Sequence, residues 1–280
     1  MKAPYHYIFF FTLLLCQAFT VSAQELFVFT EPASNMPAKS ISAKYSGKLL
    51  ESTMHGVRIE QRHTAEIMFG LNKNWMVHGA VTFSDMYTTQ LRFESGRLYA
   101  KYRFLSNDDV HKHFRMAAFA EVSRSRNEQM FDELSLDGDN SGFLGGVIAT
   151  QLSKKFAFSS TVSLLQLTGG RAKAFPGAYS SRALNYTASA GLLVLPLQYT
   201  SYNQTNLNVY AELLGQQSLD QQKYFLDFAP SVQLIFNSTY KLNLGYRFQL
   251  KTNMARMSAN SFNVAFETVF LNALKRNTAE

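Results

Sequence analysis

The chain has 280 residues, and its 27 basic residues against 20 acidic ones are scattered in singles and pairs, which disfavours nucleic-acid binding. Aromatic residues make up 14% and prolines number only 6, a balance that excludes a disordered chain and suits one β-rich folded unit of about 250 residues. The single cysteine, Cys16, lies in an N-terminal apolar run; without that run the chain has no disulfide framework, thiolate metal site or cysteine nucleophile.

Lys2, the apolar run "YIFFFTLLLC" and the small residues Val21 and Ala23 predict a secretory signal peptide over 1–23, cut after Ala23. The run is too short to cross a bilayer, and the leucines before Cys16 argue against a lipoprotein. Residues 24–38, broken by Pro32 and Pro37, read as a periplasmic lead-in. From 39 to 271 one pattern repeats: apolar and polar residues alternate, then a break follows. The runs fall near 39–49, 56–70, 75–84, 93–105, 113–123, 142–152, 156–166, 183–194, 204–214, 223–236, 239–250 and 259–271, leaving 272–280 as a periplasmic tail. From 71 onward, short or moderate breaks mostly alternate with longer ones rich in Ser, Gly, Asp and Asn, notably 124–141 and 167–182.

Parity divides each run sharply. In the second, Ile59, Ala65, Ile67 and Phe69 share one face while Arg58, Glu60, Arg62 and Glu66 share the other. The fourth sets Leu98, Tyr102 and Phe104 against Arg97, Lys101 and Arg103, and the eleventh sets Leu242, Leu244 and Phe248 against Lys241 and Arg247. A soluble barrel or sandwich would show the same period with the faces exchanged. At most of the short breaks, however, the apolar face ends in an aromatic: Phe69, Trp75, Phe104, Phe114, Phe156, Phe236, Tyr240 and Phe270. Such a ring suits a lipid headgroup boundary.

The signal peptide, the lead-in "ELFVFTEPASNMPAKS" and hairpins such as "EIMFGLNKNWMVHGAV" resemble those of Gram-negative outer-membrane β-barrel proteins of the transporter type. The expected fold is a closed antiparallel up-and-down transmembrane β-barrel of about 12 strands, in the cell outer membrane, with both termini periplasmic. The resemblance implies outer-membrane lipid, lipopolysaccharide and the barrel-assembly machinery as partners, and a monomer. One departure is the tail "LNALKRNTAE" after Phe270, where many such barrels end in a terminal phenylalanine.

The charged face is the candidate functional surface. By parity it holds Arg58, Arg62, Arg97, Lys101, Arg103, Arg115, Lys241 and Arg247 against Glu60, Glu66, Glu121, Glu212, Asp227 and Glu267. Buried singly these would be very unfavourable, so they pair or meet water. One reading is a channel or passive transporter for small polar solutes, with a slight bias toward anions; the other is a structural or adhesion-type barrel, its lumen plugged and its outer loops functional.

Met68 and His78 should face each other across the hairpin, and Met54 and His55 could join them, but two ligands are not a metal site. Asp132, Glu133, Asp137 and Asp139 form an acidic loop, either a calcium site or simply solvated. No histidine is followed two residues later by serine, the spacing of outer-membrane phospholipases, and Gly-x-Ser-x-Gly is missing. "LTGGRAKAFPG" lacks the end of a phosphate loop. Neither an enzyme, a cofactor nor a metal is expected.

Overall fold

The computed structural model describes residues 26–52, 58–169, 179–198, 201 and 203–275. The signal peptide, Met54 and His55, most of the second long loop and the last five residues lie outside that set. Twelve strands follow in chain order: β1 (Ser40–Ser52), β2 (Arg58–Gly70), β3 (Trp75–Ser84), β4 (Arg92–Asp108), β5 (Lys112–Ser125), β6 (Gly142–Ser153), β7 (Phe156–Leu167), β8 (Arg182–Leu195), β9 (Asn206–Ser218), β10 (Tyr224–Phe236), β11 (Tyr240–Thr252) and β12 (Ser258–Phe270). Each pairs antiparallel with its sequence neighbours, and β1 closes on β12 from Ile41 opposite Phe270 onward, so no strand edge is left open. The expected closed up-and-down barrel is the observed one.

Local chemistry sets the turns at the end that carries β1's start and β12's finish. The Asn72 side chain accepts the amides of Asn74 and Trp75, an Asx turn that reverses the chain between β2 and β3. Asn237 and Ser238 both take left-handed conformations (φ 50° and 57°), as a two-residue hairpin matched to strand twist requires.

The alternation becomes two surfaces. Ile59, Ile67, Leu98, Phe158 and Val162 point outward and are more than half exposed, whereas Glu60, Glu212 and Asp227 on the inner parity are 0% exposed. An outer wall this apolar, closed and free of unpaired backbone, is what hydrocarbon demands. The faces therefore run charged in and apolar out, the reverse of a soluble barrel.

A charge placed on the outer wall tests this. Val162→Arg, at the middle of β7, should cost about 2–4 kcal/mol in denaturant unfolding from lipid vesicles, and Val162→Leu almost nothing. Equal stability of the two variants would place that face in water.

Candidate functional site in the barrel lumen

Strand pairing brings only some of the inward charges together. Lys241 Nζ lies 3.0 Å from Glu267 on the adjacent strand, and Ser42 donates a 2.7 Å hydrogen bond to the same carboxylate. Arg247 meets Asp227, Arg58 reaches Asp85 just beyond β3 at 2.6 Å, and Arg97 approaches Glu121 at 3.7 Å. Glu60 is wholly buried on the inner face of β2. Arg103 sits at a register shift near the short-turn end of β4 and joins no ion pair among the described residues.

The others are met by two segments that are not strands. Residues 27–35, within the segment read as a periplasmic lead-in, run inside the barrel. Glu212 Oε1 accepts the backbone amides of Val28 and Phe29, each at 3.0 Å, while Oε2 accepts the Thr30 hydroxyl at 2.7 Å. Lys101 Nζ donates to Glu31 Oε2 at 3.0 Å and to the Pro32 carbonyl at 2.9 Å. Further along, Thr150 Oγ1 accepts the Ala33 amide at 2.8 Å and Arg115 donates to Ser34 Oγ at 3.0 Å. Phe27 packs on Tyr210 and Ala157. Phe29 lies over Gly245, where any Cβ would fall 2.5 Å from its ring.

The loop between β5 and β6 enters from the other end. Asp132, Glu133, Asp137 and Asp139 do not stand free in solvent: a cation takes each of these four carboxylates. Asp132 pairs with Lys223, Glu133 with Arg247 and Arg256, Asp137 with Lys48 and Arg97, and Asp139 with Arg62, whose guanidinium also reaches Glu94. Leu134 and Leu136 pack on Leu165, Leu167 and Ala183 of the wall. At Gly138 (φ 97°) the loop crosses Arg62 and Glu94 too closely for a side chain, the added Cβ falling 2.6 Å from Glu94. Burial disfavours a charge on Asp137, but Lys48, Arg97 and Arg62 outweigh it and hold its carboxyl far below the usual range. Glu133 is likewise lowered, burial being outweighed by Arg247 and Arg256, whereas burial raises Asp139 in spite of Arg62.

Between the two segments lies a cavity of about 350 Å³, bordered by Phe29, Thr30 and Glu31 from one and Asp137 from the other. Glu66, His78, Arg97 and Glu121 face it from the wall. Met68 and His78 stand opposite each other in register, as the hairpin spacing predicts, with His78 Nδ1 3.5 Å from Glu66 and Nε2 3.4 Å from Glu31.

Trp75, Phe104, Phe114, Phe156, Phe236, Tyr240 and Phe270 are all exposed outward near the short-turn end, and Phe69, partly exposed, shares their level. Tyr102 packs on Trp75 with ring centroids 4.7 Å apart and planes tilted by 32°. A second set, Phe83 with Phe93 and Phe228 with Phe248, occupies the opposite end; the turn-based reading missed it because long loops, not short turns, flank those residues. Lys44, Lys48 and Arg256 also escaped notice, the first two being legible by parity alone.

No family model and no curated protein matches this chain. Among solved structures it is similar to the COG4313 outer-membrane channel from Pseudomonas putida F1, with a TM-score of 0.56 and 12% identity over 87% of this chain and all of that one. The KdgM porin gives a TM-score of 0.48 with 8% identity over 82% of this chain and 99% of that one. The first of these likenesses speaks to fold, and the fold is that of an outer-membrane barrel.

Removing the Asp137 charge leaves Lys48 and Arg97 without it, a change costing about 3–5 kcal/mol when a pair is fully buried and less here, where Lys48 is a third exposed. Asp137→Asn should therefore strip hydrogen-exchange protection from residues 129–139 while leaving the strands protected. Because the Asp137 and Glu133 carboxyls are depressed, their support for docking is complete above the ordinary carboxylate pKa of about 4 and fades only below it. Asp139, raised, acts with the opposite sign and favours docking on protonation. Protection of the loop should thus hold from about pH 7 to about pH 5; its collapse in that window would count against these pairings.

Proposed function

We propose that the protein is an outer-membrane channel for small polar solutes, occupied in this conformation by its own N-terminal segment and by the inward loop. The observation that carries the reading is how the lumen is filled. Most of its occupants are not strand side chains meeting in a permanent core, but two segments tethered through the chain and held by hydrogen bonds and ion pairs. Removal of the signal peptide after Ala23 would leave the N-terminal segment with a free end just before Leu26, able to withdraw toward the periplasm. The inward Arg, Lys, Asp and Glu set would then line a water-filled path. Acids and bases interleave along it, which favours polar solutes in general over anions in particular. No step in this reading calls for catalysis.

The second reading, a scaffold with a plugged lumen and working outer loops, draws support from the same filled interior. Planar-bilayer recording separates the two. The intact protein should open intermittently, and a chain lacking residues 26–38 should conduct more and for longer. Glu212→Ala, which removes the acceptor for the Val28 and Phe29 amides, should raise open probability by about tenfold for each 1.4 kcal/mol of docking lost. Silence from all three proteins would leave the scaffold standing.

A further inference from the structure

The cavity between the two segments has chemistry of its own. Its volume of about 350 Å³ sits at the lower end of the range for small-molecule sites, about 300–1,000 Å³. It is bounded unevenly. On one wall, acids and bases alternate: Arg97 lies between Glu121 at 3.7 Å and Asp137 at 3.4 Å, and His78 lies between Glu66 and Glu31. None of the four contacts to Arg97 and His78 meets hydrogen-bond geometry, and Arg97 Nε is buried with no hydrogen-bond partner among the described residues. The wall is charged, but its hydrogen-bonding capacity is unspent.

The opposite wall is neutral and equally unspent. Thr161, Ser163 and Thr187 of β7 and β8 border the cavity there, and Asn263 of β12 borders it beside Lys48, its cross-strand neighbour. Ser163 and Asn263 are each only 5% exposed and make no side-chain hydrogen bond among the described residues, and the Thr187 hydroxyl is buried without a partner. Between the walls runs an aromatic surface: Tyr99 packs on His78 with rings 4.3 Å apart and stacks on Phe119 at 5.5 Å.

Buried polar groups are almost always satisfied, so water or a solute completes these. The geometry points to the solute class. A net anion or cation would meet both acids and bases, since Glu31, Glu66, Glu121 and Asp137 line the cavity together with Lys44, Lys48 and Arg97. A zwitterion would place both charges on a single wall and leave the neutral hydroxyls unmet. A compact ring of hydroxyls can do what neither can: donate to Glu66 and Glu121, accept from Arg97, exchange hydrogen bonds with Ser163, Thr187 and Asn263, and lay its C–H face on Tyr99. We propose that the lumen cavity is a binding site for a small neutral polyhydroxylated solute of monosaccharide size. The proposal rests on the reading of the barrel as a solute passage and names the class that passes.

Saturation-transfer NMR titration of the detergent-solubilised protein tests it, with D-glucose and D-galactose as probes and L-glutamine and D-galacturonate as zwitterionic and anionic comparators. At least one hexose should bind saturably and about tenfold more tightly than either comparator. Glu121→Gln should weaken that binding about tenfold. Asn263→Ala, which breaks no side-chain hydrogen bond among the described residues and so should fold normally, should weaken it by at least about threefold. Preference for glutamine or galacturonate, no saturable hexose binding, or variants that bind as the parent does would each overturn the assignment. The bilayer recordings keep the two proposals apart. A conducting barrel that ignores hexoses loses this site and keeps the passage, whereas a silent barrel that binds them keeps the site and loses the passage.

Discussion

Because a charge in hydrocarbon costs several kcal/mol, the ionic side chains of the twelve strands have one direction in which to point, and the interior has to balance what the wall cannot expose. Antiparallel pairing sets neighbouring strands in fixed register, so only those charges that register aligns can neutralise each other, as Lys241 and Glu267 do. Lys101, Arg62 and Glu212 have no such partner on the adjacent strand. Their shortest contacts come from outside the sheet, to Glu31 and the Pro32 carbonyl, to Asp139, and to the Thr30 hydroxyl with a row of backbone amides. The two inward segments are thus part of the electrostatic completion of the barrel, and their docking is coupled to the residues that would line a path once they leave.

That coupling explains why the filling is polar. A lumen packed with leucine and phenylalanine would be more stable and would not reopen, since buried ion pairs often stabilise less than apolar packing of equal volume. Here the apolar anchors are few: Phe27 against Tyr210 and Ala157 for one segment, Leu134 and Leu136 for the other. Hydrogen bonds and ion pairs hold the rest, and water can take their place when a segment moves.

The barrel itself was legible because its signal is periodic. Twelve alternating runs, divided cleanly by parity, leave one arrangement in which Ile59 and Leu98 meet lipid while Glu60 and Arg97 do not, and the runs match the strands to within a few residues. The inner set emerged by the same rule. What fills the lumen did not, because nothing periodic marks it. "LFVFTEP" looks like any Pro-broken leader to a sheet, and its destination depends on Glu212, far along the chain. The acidic loop looked solvated because its partners Lys48, Arg62 and Arg256 belong to distant strands and turns. Charge complementarity between Asp132–Asp139 and the excess of inward cations was the available clue, and only a closed barrel turns that clue into contact.

The hairpin of β4 and β5 runs past the aromatic ring: beyond Phe104 and Phe114, the strands continue to Asp108 and Lys112 with nearly every residue exposed. At about 3.3 Å per residue this forms a stiff tongue of about 13 Å standing clear of the bilayer. Asp108 on that tongue grips Arg115 through Nε and NH2, and the other end of the same guanidinium holds Ser34. A push on the tongue would therefore travel through one arginine to the seated N-terminal segment, so the part of the barrel most open to touch is also joined to what fills it.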